Sequence, residues 1–287
     1  MHTTGIKKRM LHPFARRFFA GETLEDALAR AKPVNASGIS ATLDFLGEDT
    51  TSPAEAKAAS DEYMRVLDEV SARGLDVSLA VKLTHIGLDI DPDIALEYAL
   101  ALGKSANRKG LTLWLDMEGS QHTSMTIETY RKVRKVHPGA GMALQACLRR
   151  TPGDLIALVK EGALIRLVKG AYREPPDVAL TRMRDIRRRY LELMAYLSEH
   201  SDKFAVGTHD RGIIDEAKKL AGKNAHAAIE FQMLMGMRDD LKAALVNDGK
   251  RVLEYIPYGT DWYGYGIRRL TEKKRNAVYF AMGLIGR

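Results

Sequence analysis

GMALQACLRRTPGDLIALVKEGALIRLVK, residues 141–169, decides the fold. Its two ends, GMALQAC (141–147) and LIRLVK (164–169), are short β-rich runs, and residues 153–161 between them carry apolar side chains at helical spacing. Thr151-Pro152 reads as an N-cap followed by the N1 proline of that helix. Strand, helix, strand within 29 residues is the pattern of two parallel strands joined by a crossover helix.

Outward from that unit the pattern repeats. Further strand runs lie at 38–46, 77–84, 111–117, 203–207, 226–232 and 251–257, which with the first two makes eight. Helical periodicity fills about 53–73, 92–109, 124–136, 153–161, 178–200, 211–222, 237–247 and 266–283. Ser52-Pro53 and Asp91-Pro92 are further cap-plus-proline starts. Eight alternations predict an α/β fold, a (β/α)8 TIM-type barrel, rather than an open doubly wound sheet, for which a G-x-G-x-x-G after the first strand is missing. No Gly/Ser/Pro-rich linker divides residues 1–287, so one barrel domain is expected, with about 1–35 as an N-terminal helical extension whose Leu24, Ala27, Leu28 and Ala31 repeat at helical spacing.

Composition narrows the class. In 287 residues, 45% hydrophobic and 28% charged is ordinary for a globular chain. A single cysteine, Cys147, makes no internal disulfide, and no Cys/His spacing suggests a metal site. No apolar run reaches a membrane span and no signal-peptide pattern follows Lys7-Lys8-Arg9, so a cytoplasmic protein is expected. The net charge of +7 admits a nucleic acid, an anionic membrane surface or a phosphate-bearing ligand. The run Arg182–Arg189 reads first as a solvated helix face and second as a docking surface, while no nucleic-acid motif is present.

In a (β/α)8 barrel the loops at the strand C-termini build the site. Those ends carry Asp44, Lys82 with His85, Asp116 with Glu118, Gln145 with Arg149 and Arg150, Arg166 with Lys169 and Tyr172, Thr208 with His209 and Asp210, Glu230 with Gln232, and Tyr255 with Tyr258. His85 and Glu118 read as loop caps and Asp210 as the cap of a helix beginning near Arg211. Lys82, Asp116 and Arg166 sit in apolar strands, where a charge must pair or meet a ligand; a Lys82–Asp116 ion pair is the plain structural alternative.

After strand eight comes DWYGYGIRRLTE, residues 261–272. Adjacent Arg268 and Arg269 behind a cluster of tyrosines suggest a carboxylate clamp under an aromatic lid, because guanidinium groups grip carboxylates through two hydrogen bonds. Neighbouring helix positions point about 100° apart, so one arginine would hold the ligand while Glu272 steers the other. The alternative is a solvated Arg-Arg-x-x-Glu face. Read this way, the site takes a small amino or organic acid.

The ordered blocks VKLTHIGL (81–88), WLDMEGS (114–120), LQACLRRTP (144–152), IRLVKGAY (165–172), GTHD (207–210), EFQMLMG (230–236), YIPYG (255–259) and WYGYGIRRLTE (262–272) closely resemble the proline dehydrogenase family, from about residue 30 to 280. The resemblance is to the monofunctional bacterial type. It implies a distorted barrel that holds FAD, oxidises L-proline to Δ1-pyrroline-5-carboxylate and passes electrons to a quinone, with peripheral contact at the inner membrane and no nucleic-acid partner. By the same resemblance Arg268 and Arg269 bind the proline carboxylate, Lys82 belongs to the substrate pocket, and Leu234, Tyr255 and Tyr265 pack around the ring. Asp116 organises the pocket and Arg166 approaches flavin N5; these two are the catalytic expectation. Gln145 and Met117 meet the isoalloxazine, Val168, Lys169, Gly170 and Ala171 line the cofactor, and Thr208 with His209 contact its dinucleotide portion.

That chemistry suits the residue types. Hydride loss from proline C5 needs a neutral amine, a fixed ring and positive charge beside the acceptor, and a guanidinium supplies charge without giving up its proton. No general base is assigned, so efficiency is expected to rise at alkaline pH. The chain departs from the family pattern at Cys147, where tyrosine is common, and at Gly264 and Gly266, which loosen the backbone around Tyr265. Tyr255 resembles the tyrosine of enzymes that prefer proline over 4-hydroxyproline. Two other readings share part of this pattern: a flavin-dependent barrel oxidoreductase of another small cyclic amine or amino acid, and a non-catalytic protein that binds through its basic surface.

Overall fold

The computed structural model describes residues 12, 13, 15–223 and 227–272, with the backbone alone at 223 and 270–272. Eight parallel strands close on one another in sequence order: β1 Ser40–Phe45, β2 Val77–Val81, β3 Leu113–Leu115, β4 Gly141–Gln145, β5 Leu164–Val168, β6 Lys203–Gly207, β7 Ala228–Leu234 and β8 Arg251–Tyr258, with β8 pairing back to β1. In chain order the helices are α1 Leu24–Ala36 ahead of β1, then α2 Pro53–Ala72, α3 Pro92–Lys109, α4 Thr123–Val136, α5 Thr151–Lys160, α6 Met183–His200, α7 Arg211–Lys223, α8 Asp239–Asn247 and α9 Trp262–Glu272.

Local chemistry sets the boundaries. Ser52 and Asp91 accept backbone N–H bonds from Glu55 (3.3 Å) and Asp93 (2.9 Å), and a proline follows each. Thr151 differs from the expectation: it is the first residue of α5, and its hydroxyl donates to the Gln145 carbonyl (2.6 Å) instead of capping the helix. Asp210 does cap, accepting from Gly212 N–H at 3.2 Å. Within the expected N-terminal helical extension, Thr23 and Asp26 form a reciprocal capping box that starts α1 at Leu24. Of the C-terminal helix expected at 266–283, α9 occupies Trp262–Glu272 and the remainder lies outside the described residues.

The main core lies between the sheet and the helix ring, where Tyr63, Tyr130 and Tyr190 are fully buried. Their hydroxyls find partners there; those of Tyr130 and Tyr190 donate to the carbonyls of Ala140 (3.2 Å) and Leu167 (2.7 Å). Strand alternation sends Leu253 and Tyr255 of β8 inward and Glu254 outward, where it meets Arg30 of α1 and Lys242 of α8. Inside the barrel, Trp114 packs with Ala80 and Ala205 as a floor on which Tyr255 and Leu164 rest.

Candidate active site

Above that floor lie two ion pairs, one buried and one partly buried. Lys82, just beyond β2, donates to Asp44 Oδ1 at the end of β1 (2.8 Å). Arg166 of β5 donates to Asp116 Oδ1 (2.6 Å), and Tyr255 of β8 donates to the other oxygen, Oδ2 (2.6 Å). The structural alternative, a Lys82–Asp116 ion pair, does not form: Lys82 takes the carboxylate of the adjacent β1. Asp116 reaches across β4 to Arg166, over the small Ala143 that pairs with Arg166 in the sheet.

Burial alone would drive the Lys82 ammonium towards neutrality, but Asp44, with Tyr63, Asp116 and Glu48 beyond it, outweighs this and holds its pKa well above the ordinary lysine value. Burial, then the charge of Asp116, pushes the Tyr255 phenol well up, so it stays a donor. Arg166 is only 4% exposed, lies 4.3 Å over the Trp114 ring, and leaves its Nε and one terminal nitrogen without a hydrogen-bond partner among the described residues. Two orphaned guanidinium nitrogens at such depth are costly unless a ligand acceptor meets them.

Beside this centre runs a second constellation. Gln145, buried at the end of β4, donates to the Glu118 carbonyl (2.8 Å) and accepts from Ala171 N–H (3.3 Å). Gly170 stands at φ +110°, and a Cβ there would collide with Cys147 Sγ. Lys169, next to the half-buried Val168, reaches Asp210 (2.6 Å), which Arg187 also binds. Thr208 Oγ1 accepts from Asp210 N–H (3.2 Å). His209 Nε2 accepts from Leu234 N–H (2.9 Å), so the neutral ring carries its hydrogen on Nδ1; burial, then the Arg269 charge, lowers its pKa to about 3. Met117 is buried directly after Asp116.

The arginine pair lies on α9. Arg268 donates to Glu48 of the β1 loop (3.1 Å), and the Arg269 guanidinium sits 5.3 Å over the ring of the buried Tyr265. The Glu272 side chain lies outside the described residues. A cleft of about 380 Å³ separates the β1 loop, with Glu48 and Asp49, from Tyr263, Gly264, Tyr265 and Arg268.

Some strand-end residues stand elsewhere. β7 runs two residues past its expected end, so Glu230 and Gln232 sit lower in the barrel; Glu230 faces Lys203 (3.8 Å) and Arg251 (3.9 Å) in a cavity of about 220 Å³ at the opposite mouth. Arg149 and Arg150 turn to the Pro176 carbonyl and Asp154. Glu118 does hold a loop, binding the backbone and hydroxyl of Thr84. His85 instead meets the Tyr63 hydroxyl (3.0 Å), and burial lowers its pKa to about 4. Asp44, Glu48 and Trp114 had no assigned role in the sequence reading. The signal for Asp44 was a carboxylate at the end of a strand adjacent to that of Lys82; no local pattern marked Glu48.

A closed barrel with ionised and aromatic groups gathered at the C-terminal strand ends is the arrangement of a (β/α)8-barrel enzyme. Residues 27–281 match the model of the family described as proline dehydrogenase. Proline dehydrogenase 1 of Bacillus subtilis subsp. natto is 35% identical over 94% of this chain and 90% of its own length, and proline dehydrogenase of Deinococcus radiodurans 34% identical over 98% and 93%. The crystal structure of proline utilization A from Bdellovibrio bacteriovorus, inactivated by N-propargylglycine, superposes with a TM-score of 0.86 at 25% identity over 94% of this chain, which spans about a third (34%) of that protein. The chain belongs to the proline dehydrogenase family. It is an oxidoreductase of proline metabolism.

Proposed function

We propose that this chain, as a single barrel with an N-terminal extension, oxidises L-proline to Δ1-pyrroline-5-carboxylate with FAD and passes the electrons to a quinone. The observation that carries the reading is Arg166, two of whose buried nitrogens have no hydrogen-bond partner among the described residues, while Asp116 already accepts from Arg166 on one oxygen and Tyr255 on the other. The residues fit a flavin on further grounds. Gly170 keeps backbone open where a side chain would collide with Cys147, and Lys169 with His209 Nδ1–H supplies donors along the same rim. When bound, FAD would accept the hydride leaving proline C5.

The chain's own residues do the rest. Arg268 and Arg269 hold the carboxylate, Lys82 adds positive charge, and Leu234, Tyr255 and Tyr265 close on the ring. Arg166 stabilises negative charge on the acceptor without losing its proton, and Asp116 fixes its guanidinium. Met117, Gln145, Val168, Ala171 and Thr208 complete the cofactor wall. No described helix is long and apolar enough to cross a membrane, so delivery to a quinone fits peripheral contact of a cytoplasmic protein with the inner membrane. Turnover with a soluble quinone, with the product imine trapped, tests the reading. Proline is expected to outpace 4-hydroxy-L-proline; the reverse order would assign another cyclic amine.

A further inference from the structure

We propose that the segment Ala15–Glu22 is a positioning strap for α9, setting the arginine pair at the height where it meets a ligand carboxylate; this rests on the reading of Arg268 and Arg269 as the clamp.

The need for a strap follows from α9 itself. It carries Gly264 and Gly266 within its first turns, each weakening the helix about fivefold against alanine. A helix of this length is marginal without tertiary packing. Around Gly264 a Cβ would meet no described atom within 4 Å, so no close packing among the described residues calls for glycine there.

Among the described residues, the strap packs on α9 beside the tie from Arg268 to Glu48. The Phe19 ring stacks on Trp262 at 5.3 Å with 10° between planes, and His12, which precedes the strap, meets the same indole edge-on at 5.0 Å. Glu22 accepts from Trp262 Nε1 (3.0 Å), and Ala15 lies 3.3 Å from where a Gly266 Cβ would stand. Phe18, Phe19 and Ala15 form one buried cluster with Leu46, Trp262 and Tyr265, separate from the main core. Tyr265 thus packs with the strap while Arg269 lies over its ring.

The strap is fixed to the barrel rim. Ala20 N–H donates to the Pro257 carbonyl (2.8 Å), Gly259 N–H to the Gly21 carbonyl (2.9 Å), and Arg17 Nε to the Gly236 carbonyl (3.0 Å). At Gly236, φ is +70° and a Cβ would collide with the Arg17 carbonyl, so glycine there lets the strap lie close. Downstream, α1 is tied to the barrel wall through Arg30 and Glu254 (2.9 Å). The path runs from wall to α1, to strap, to Trp262 and Tyr265, and ends at the arginines.

The test uses the full-length, flavin-loaded enzyme and the variants Phe19→Ala, Glu22→Ala and Arg269→Met, the first two also combined with Gly264→Ala. Proline KM and kcat are measured with the Ki of cyclopentanecarboxylate, a ring carboxylate with no amine to oxidise. Phe19→Ala is expected to raise KM and Ki together by about tenfold with kcat changed less than about twofold, since misplacing a binding group is costly even from a distance. Gly264→Ala should return about fivefold of that loss by stiffening α9. Glu22→Ala removes only a surface acceptor and keeps the test open if Phe19→Ala fails to fold; about threefold in both constants is expected from one hydrogen bond. If Arg269→Met raises KM and Ki while the strap variants leave both unchanged, or lower kcat or flavin content alone, the strap is overturned. If Arg269→Met itself leaves them unchanged, the clamp reading fails instead.

Discussion

Replacing Asp116 with asparagine keeps the shape of the side chain and removes its charge, which should expose how the two partners depend on it. Arg166 loses its ion-pair partner while only 4% exposed, and Tyr255 must turn from donor to acceptor to meet an amide nitrogen. Leaving a buried charge without its partner costs about 3–5 kcal/mol, and the lower end applies because Arg166 keeps its stacking on Trp114. For 287 residues, at about 2.1 cal/mol/K of unfolding entropy per residue, 3 kcal/mol lowers Tm by about 5 °C. Calorimetry on Asp116→Asn, Arg166→Met and the double variant reads this directly. In the Arg166→Met background the asparagine should cost under about 1 kcal/mol, because no charge is left stranded. An equal cost in both backgrounds would refute the pairing as the source of the effect. Proline kcat/KM in Asp116→Asn should fall about a hundredfold, equivalent to about 2.7 kcal/mol.

Further outcomes follow from the same physics. His85 and His209 have folded pKa values of about 4 and about 3, below the ordinary 6.5, so the unfolded chain takes up more protons below pH 6.5 and stability falls there; each contributes a loss of up to about 2 kcal/mol between pH 6.5 and 5, read as denaturant midpoints, with His85→Gln flattening the slope. Gly170→Ala should lose most of its flavin, because φ +110° strains alanine and its Cβ meets Cys147, while adding Cys147→Ala recovers part of the binding; full flavin content in the single variant would contradict this. Lys242→Met leaves the buried Glu254 with the half-exposed Arg30 as its partner among the described residues, and is expected to lower stability by about 2 kcal/mol in thermal unfolding.

The barrel was legible because each strand announces itself locally. β6 was expected and found at 203–207, and α3 at 92–109, between a capping Asp91 and a left-handed Gly110. Pairing across the barrel was not legible. Lys82 has carboxylates on both flanking strands, and only the three-dimensional register decides that Asp44 wins and that Asp116 is left for Arg166 and Tyr255. A two-residue error in the extent of β7 was enough to place Glu230 at the wrong mouth, since position along a strand is height in the barrel. The strap escaped notice because nothing in residues 12–22 reports locally on α9, some 240 positions away; Phe19 and Trp262 meet only through the closed fold.

The most direct test of the central claim is anaerobic titration of the flavin-loaded protein with L-proline, following flavin absorbance. Stoichiometric bleaching, with one imine product formed per flavin reduced, is the expected result. Flavin that stays oxidised at saturating proline would contradict the account.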